Sequence, residues 1–302
     1  MRSALTSLSD SQGALENYCL GQAATGQSED PETMQRLLDQ VTPERIQAAA
    51  QSVTLDTVYS CTERRRPDEN HRISRIGEKV LWETLPNGLP VCVVPKPGYA
   101  RRFAFFTTRY GGMDMRFRLD GRWLDTPAGI AHYLEHKMFD TADGSAMQEL
   151  AKGGAEPNAF TSNAVTAYYF DCTEHFYENL RILLSFVSVP YFTDESVEKE
   201  QGIIAQEIGM IEDNPEWQVY RQMMQALYRH SPVRQSVAGS VESIRRITAQ
   251  TLYDCHKAFY TPANMCWWWW ATWTRRRFSA AREVLPRESG PAIPRDYGRR
   301  RT

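Results

Sequence analysis

Residues 132–136, His-Tyr-Leu-Glu-His, constrain the fold of this chain more than any other part of its sequence. They lie in a helical pattern with the spacing H-x-x-E-H, and positions i, i+3 and i+4 share one face of a helix. Two histidines one turn apart on that face can bind the same zinc ion, and the glutamate beside them stays free to act on the water of the metal. The alternative is an accidental pair of histidines, so the remaining sequence has to supply the rest of a site.

A catalytic zinc site needs a third protein ligand from another element and keeps a fourth position for water. The best candidate is Glu207, which lies in a helical stretch at 198–212, with Glu200 two turns earlier on the same face. The alternative is a solvated acidic helix face, which we prefer for Glu198 and Glu212. Spacing alone permits either Glu200 or Glu207 to be the ligand. We expect the surroundings of Glu207 to be partly apolar, because its neighbours are Ile203, Ile204, Ile208 and Ile211.

H-x-x-E-H is the inverted form of the H-E-x-x-H zinc-protease signature. The chain resembles the pitrilysin/insulinase (inverzincin) metallopeptidases, in which an H-x-x-E-H helix is followed by a zinc-binding glutamate in an E-x6-E helix. Here Glu207 lies 71 residues after His136 and seven after Glu200. The resemblance implies that His132, His136 and Glu207 bind Zn²⁺. It also implies that Glu135 is the general base and that Glu200 is a second catalytic carboxylate that supports the site.

Two more stretches extend the resemblance. Residues 153–161, Gly-Gly-Ala-Glu-Pro-Asn-Ala-Phe-Thr, are similar to an edge strand to which substrate peptide adds by main-chain pairing in that family. Taken alone, the same letters would be typical of an ordinary structural strand. Residues 256–265 resemble a helix-to-strand junction late in the same domain. The implied substrate-binding residues are Asn158, Ala159, Phe160 and Thr161.

The family includes the mitochondrial processing peptidases, and this chain is most similar to a bacterial branch that commonly occurs as neighbouring gene pairs. Members of that branch are linked to modification of elongation factor P or to maturation of small peptides. The resemblance therefore implies a peptide substrate and a homologous subunit as partner, in a homo- or heterodimer. Family enzymes enclose substrate between two homologous domains, and only the zinc-bearing one is visible here.

The implied fold class is α+β, a metallopeptidase αβ roll with helices packed on a mixed or antiparallel sheet. Strands are predicted near 79–84, 89–95, 103–110 and 165–172, with an Asn87-Gly88 hairpin turn. Helices are predicted near 126–139, 146–152, 194–213, 216–228 and 249–259. An apolar stripe at helical spacing predicts one more helix in the core, formed by Phe176, Leu180, Leu183, Leu184 and Val187.

The domain boundaries follow from the motifs and from a polar stretch before them. Residues 1–62 are predicted to form a helical segment, with helices near 11–20, 30–38 and 43–53 and a strand near 55–59; residues 63–75 form a linker; and residues 76–298 form the zinc peptidase domain. Residues 41–59 resemble the closing helix and strand of a neighbouring family member. The first segment is therefore either the tail of such a protein fused to this one, or a native extension.

Composition excludes several classes of protein. The chain has 302 residues, a net charge of −2 and 42% hydrophobic residues, so we expect a sizeable core and no field that would bind nucleic acid. No stretch is long and apolar enough for a signal peptide or a membrane span. Six cysteines are scattered without C-x-x-C spacing, which favours reduced thiols in a cytoplasmic protein; they are Cys19, Cys61, Cys92, Cys172, Cys255 and Cys266.

Residues 266–274, Cys-Trp-Trp-Trp-Trp-Ala-Thr-Trp-Thr, are unusual for a core strand, because successive tryptophans project from both faces of a strand. A membrane-interface or aromatic-binding role is one alternative, although the run is short. A second hypothesis is a single-nucleotide deletion after the codon of Met265, with the original frame restored by Phe278. The nucleotide sequence decides this point.

The sequence is compatible with two functions. The first is a zinc-dependent endopeptidase with Glu135 as its general base. The second is a non-catalytic or half-enzyme subunit that binds peptide and needs a two-domain partner. A complete ligand set with a general base favours the first, because a purely structural subunit has no use for that base.

Overall fold

The computed structural model describes residues 40–42, 44–45, 48, 71–73, 78–271 and 293–297. The chain forms two compact units, one of residues 1–63 with 214–220 and the other of residues 64–213 with 221–302. The helices predicted at 11–20 and 30–38 and the strand at 55–59 lie outside the described residues, as does almost all of the helix at 43–53. Within the predicted linker, His71–Ile73 forms a short strand.

The second unit is built on a mixed sheet. Its strands are β1 His71–Ile73, β2 Glu78–Thr84, β3 Pro90–Pro95, β4 Arg102–Thr108, β9 Ala155–Thr161, β10 Thr166–Cys172 and β11 Met265–Ala271. Two small hairpins lie outside it, β5 Arg116–Leu119 with β6 Arg122–Asp125, and β7 Asp140–Thr141 with β8 Gly144–Ser145. Among the described residues the order is β1-β2-β3-β11-β4-β10-β9, so β9 is an edge strand. β11 pairs parallel to β3, and the other neighbours are antiparallel.

The helices of the described residues are α1 Ile130–Lys137, α2 Ala146–Lys152, α3 Phe176–Ser188, α4 Asp194–Asp213, α5 Pro215–Leu227, α6 Val241–Ile244 and α7 Ala249–Phe259. The apolar stripe predicted for the core is buried on α3. Helices α1, α2 and α3 pack against β9 and β10, and α7 and α4 pack against α1. This confirms the α+β class. No helix in the described part of the chain is long and apolar enough to cross a bilayer.

Alternation along β9 and β10 separates the two faces of the sheet. Tyr168 and Phe170 are buried in the core, whereas Tyr169 lies on the opposite face beside Phe105. Phe160 of β9 is 42% exposed and lies on that opposite face, 6.0 Å from the ring of Phe105. Because side chains of a strand alternate, Ala159 and Thr161 point to the helix-covered face. The edge strand therefore presents different residues to each side.

The helix that carries the histidines is shorter than predicted. It begins at Ile130 and ends at Lys137, not at 126 and 139. The later start follows from Gly129, which adopts φ 93° and interrupts the helical backbone before Ile130. A Cβ on Gly129 would lie 2.6 Å from the carbonyl oxygen of Ala238, and one on Gly239 would lie 2.4 Å from that of Ala128. Only glycine therefore allows these two backbones to meet, and this contact places the start of α1.

The tryptophan run forms β11, between β3 and β4 in the middle of the sheet. Trp267 is fully buried and Trp269 is 7% exposed, whereas Trp268 is 38% exposed on the other face. Trp267 and Trp269 pack edge to face in the core with ring centroids 4.4 Å apart, and Trp268 packs in the same manner on Trp82 at 4.9 Å. The predicted projection from both faces is confirmed, and both faces accommodate the indoles.

The hairpin of β5 and β6 was absent from our sequence prediction. Its turn is Asp120-Gly121 with φ of 48° and 80°, the two-residue turn for which Asp-Gly is a strong signal. Residues 293–297 run alongside β5, where Arg118 N donates to Pro294 O at 3.0 Å and Asp296 N donates to Arg116 O at 2.9 Å. The 293–297 segment thereby becomes part of this unit.

Candidate metal centre

The two histidines of α1 and Glu207 of α4 bring three potential ligand atoms together. Nε2 of His132 lies 3.4 Å from one carboxylate oxygen of Glu207, and Nε2 of His136 lies 3.5 Å from the other. The ligand atoms of all three residues lie within 4.8 Å of one another. These separations are longer than good hydrogen bonds, so the three groups surround a common point to which one cation can bind.

The donor set fits zinc. Two neutral imidazoles and one carboxylate are the His₂Glu ligands of a catalytic zinc site, which retains an open position for water. The side chains are partly shielded from solvent, with exposed fractions of 12% for His132, 26% for His136 and 32% for Glu207. The site is therefore reachable from solvent and enclosed on the protein side.

Glu200 fixes the orientation of one imidazole. Nδ1 of His136 lies 3.0 Å from Oε1 of Glu200, so Nδ1–H donates to the carboxylate and Nε2 keeps its lone pair toward Glu207. A carboxylate behind a metal-binding histidine has this effect in many zinc sites. His132 differs, because its buried Nδ1 has no hydrogen-bond partner in the described part of the chain. The structure thus gives Glu200 and Glu207 different positions relative to the histidines.

Glu135 lies on α1, the helix that carries the two histidines, and its side chain points toward β9. Its side chain is buried, and Oε2 accepts a hydrogen bond of 2.6 Å from the hydroxyl of Thr161. Burial raises the pKa of Glu135, although the hydrogen bond from Thr161 and the nearby imidazoles oppose that rise. A carboxyl group with a raised pKa, beside a candidate metal position, is suited to accept a proton from water.

The remaining ionisable groups of the centre influence one another through short contacts. The nearby imidazole of His132, against the effect of burial, lowers the pKa of Glu207. Burial acts to raise the pKa of Glu200, but the hydrogen bond and the charge of His136 outweigh it, so that the pKa is lowered. Burial acts to lower the pKa of His136, but Glu200 and the charges of Glu135 and Glu207 raise it overall. The lowered pKa values favour the ionised form of both Glu200 and Glu207.

The four residues predicted to bind substrate separate into two pairs. Ala159 and Thr161 lie on the side of Glu135, whereas Asn158 and Phe160 lie on the opposite face of the sheet. The side-chain oxygen of Asn158 accepts a hydrogen bond of 2.8 Å from the main-chain N–H of Ala159. The hydroxyl of Thr161 donates a hydrogen bond to Glu135, a contact that the sequence pattern did not predict.

Sequence reasoning also missed Lys137, the residue that follows the motif. Its side chain is 1% exposed, and its ammonium group donates to a carboxylate oxygen of Asp140 and, at 3.2 Å, to the carbonyl oxygen of Ser196 at the start of α4. This cation joins α1 to the helix that carries Glu200 and Glu207. Its identity was visible in the sequence, but its burial follows only from the packing of the two helices.

Comparison with known proteins shows that the chain is similar to peptidases. Residues 121–241 match the family described as Insulinase (Peptidase family M16). The uncharacterized zinc protease YmfH of Bacillus subtilis is 48% identical over 193 residues, which make up 63% of this chain and 45% of that protein. The "Probable mitochondrial-processing peptidase subunit beta, mitochondrial" of Arabidopsis thaliana is 23% identical over 209 residues, 65% of this chain and 36% of that protein.

A search of solved structures also finds a peptidase with a similar fold. The crystal structure of an M16-like peptidase from Alicyclobacillus acidocaldarius superposes with a TM-score of 0.69 at 39% identity, over 73% of this chain and 53% of that one. The chain thus spans about half the length of YmfH and of the crystallised peptidase. The H-x-x-E-H helix and Glu207 both lie within the matched residues 121–241. Over residues 121–241, the chain therefore matches the insulinase, or pitrilysin, family of peptidases.

Proposed function

We propose that this chain is a zinc-dependent endopeptidase, or the zinc-bearing half of one, with Glu135 as the general base. The observation that supports this proposal most strongly is the convergence of His132, His136 and Glu207 within 4.8 Å, next to a buried carboxylate that is not needed as a ligand. Relatives named as zinc proteases are consistent with it.

A bound Zn²⁺ would polarise the scissile carbonyl and make water a better nucleophile near neutral pH. His132, His136 and Glu207 would hold the ion. Glu135 accepts the proton of the attacking water and then transfers it to the departing amine, so that one residue serves as base and as acid. Glu200 accepts a hydrogen bond from Nδ1–H of His136 and keeps the imidazole in the tautomer that can bind the metal.

The peptide would lie along β9. An extended chain can add to the unpaired side of an edge strand by main-chain hydrogen bonds, and β9 ends the sheet among the described residues. Thr161 at the end of β9 is in contact with Glu135, so a peptide on this edge would pass close to the general base. In this proposal Ala159 contributes main-chain groups, and Asn158 and Phe160 contribute side chains at the outer face.

The test is Glu135→Gln. The variant keeps the shape and the metal ligands but cannot take a proton, so we expect it to bind one equivalent of zinc while peptide hydrolysis falls by about 10²-fold or more. Zinc content is measured by atomic spectroscopy and turnover with a quenched fluorescent peptide library. Glu198→Gln, an exposed position on α4, is the matched control and should keep full activity. Wild-type turnover in Glu135→Gln would refute the proposed role.

A second candidate is a subunit that binds peptide and needs a two-domain partner. The observation behind it is the edge strand β9, which can pair with a peptide whether or not the metal centre hydrolyses it. Turnover is compared for the isolated chain and for the chain mixed with a full-length homologue that carries the equivalent of Glu135→Gln. Activity only in the mixture indicates a half-enzyme. Bound zinc without turnover in either sample indicates a binding subunit.

A further inference from the structure

We infer that Thr161 is a positioning residue for Glu135: its hydroxyl holds the carboxylate of the general base in place on the metal side of the sheet. This inference rests on the proposed function. The Thr161 hydroxyl lies 2.6 Å from Oε2 of Glu135. Thr161 is the last residue of β9, and Glu135 lies on α1, so the contact joins the peptide-binding edge to the metal helix.

The direction of this hydrogen bond follows from counting protons. Thr161 and Thr166 each have one hydroxyl proton, and their oxygens are 3.3 Å apart. The proton of Thr166 goes to the carbonyl oxygen of Tyr110 at 2.9 Å, in a buried position. The proton of Thr161 goes to Glu135, which as a carboxylate can only accept. Thr166 therefore does not donate to Glu135, and the hydroxyl proton of Thr161 is the one that forms the hydrogen bond to this carboxylate.

The hydrogen bond leaves the second carboxylate oxygen available. Among the described residues, Thr161 is the donor to the Glu135 carboxylate, and it uses Oε2 alone. Oε1 therefore remains for the proton of the attacking water. A base held through one oxygen is kept in one orientation, and displacement of a catalytic group by about 1 Å can cost on the order of 10²-fold in rate.

This role differs from a contact with substrate, and kinetics can separate the two. A positioning residue changes the chemical step, so Thr161→Val should lower kcat by about 10-fold or more with KM changed by less than about 2-fold. Thr161→Ser keeps the hydroxyl and should retain kcat within about 3-fold. Thr107→Val removes a hydroxyl that donates to Cys266 O on β11 of the same sheet, and should leave both constants unchanged.

A second measurement does not depend on turnover. In zinc-free protein, the urea midpoint is determined for wild type, Thr161→Val, Glu135→Ala and the double variant. Thr161→Val should lower the midpoint when Glu135 is present, because a buried carboxylate loses its donor. In the Glu135→Ala background the same change should shift the midpoint by less than half as much.

The outcomes distinguish the inference from the proposed function. Equal midpoint shifts in both backgrounds, or a raised KM with unchanged kcat in Thr161→Val, would overturn the positioning role. A wild-type protein without zinc-dependent turnover in any sample would overturn the proposed function and the positioning role with it. Coupled midpoints in that case would leave Thr161 as a structural partner of Glu135 only.

Discussion

Glu200 and Glu207 lie two helical turns apart on α4, yet they have different partners. Glu207 faces Nε2 of both histidines, whereas Glu200 accepts Nδ1–H of His136. The sequence placed both carboxylates on one face, and the family resemblance together with the apolar neighbours of Glu207 separated their roles. The structure adds a physical reason, because the two nitrogens of one imidazole point in opposite directions and each meets a different glutamate.

We expect Glu207→Ala and Glu200→Ala to affect zinc binding to different degrees. Glu207→Ala leaves two histidine ligands, so stoichiometric zinc binding should be lost. Glu200→Ala removes the partner that orients His136, and zinc affinity should fall by roughly 10- to 100-fold while full occupancy is regained at high zinc. Zinc titration against a competing chelator measures both, with Glu198→Ala as a control on the same helix. Full zinc in Glu207→Ala and none in Glu200→Ala would reverse the assignment.

At the level of elements, long periodic segments were predictable. Helices α4 and α7 begin and end where the sequence placed them, at Asp194–Asp213 and Ala249–Phe259. The start of α1 was not predictable, because it depends on the contact between the backbones at Gly129 and Gly239, which are 110 residues apart in the sequence. The hydrogen bond from Thr161 to Glu135 was not predictable for the same reason, since it depends on how α1 packs on β9.

Strand β11 allows the alternation of its tryptophans to be tested. Trp267→Ala removes a fully buried indole and should destabilise the protein by about 3–5 kcal/mol. Trp268→Ala removes a side chain that is 38% exposed, and should cost about 1 kcal/mol or less. Urea denaturation of the two variants measures the difference. Equal losses would mean that β11 does not lie in the sheet with the described register.

At the scale of the whole molecule, the 293–297 segment is held to the second unit by a buried charge. Asp114 is 1% exposed and accepts hydrogen bonds from Gly111 N at 2.9 Å and from Tyr297 OH at 2.7 Å. The guanidinium of Arg295 lies 3.3 Å from the same carboxylate and over the ring of Phe259. Residues far apart in sequence thus close one polar cluster, which no local pattern could predict.

Arg295→Ala should destabilise the protein by about 3 kcal/mol at pH 7, because it leaves the Asp114 carboxylate buried without its cation. Burial raises the pKa of Asp114 above 3.8, while Arg295, Tyr297 and Gly111 oppose the rise, so the variant raises this pKa further. Stability from a raised carboxyl pKa is present below about pH 3.8 and is lost as pH rises through the folded-state pKa. The cost of the substitution should therefore shrink toward pH 4.5.

The measurement is the free energy of unfolding of wild type and Arg295→Ala at pH 7 and pH 4.5. Arg118→Ala is the control, since Arg118 is exposed on the neighbouring strand β5 and should change stability by no more than about 0.5 kcal/mol. An equal cost of Arg295→Ala at both pH values would show that Asp114 is not the group it neutralises.

The position of β9 at the end of the sheet has a consequence for what the proposed enzyme can accept. An edge strand recognises N–H and C=O groups, which every peptide carries, so the first condition it imposes is shape. A segment that is helical, or already paired inside a folded protein, has no such groups to offer until it is opened. On this view β9 discriminates by conformation before it discriminates by side chain, and the folding stability of a protein would decide whether it is a substrate.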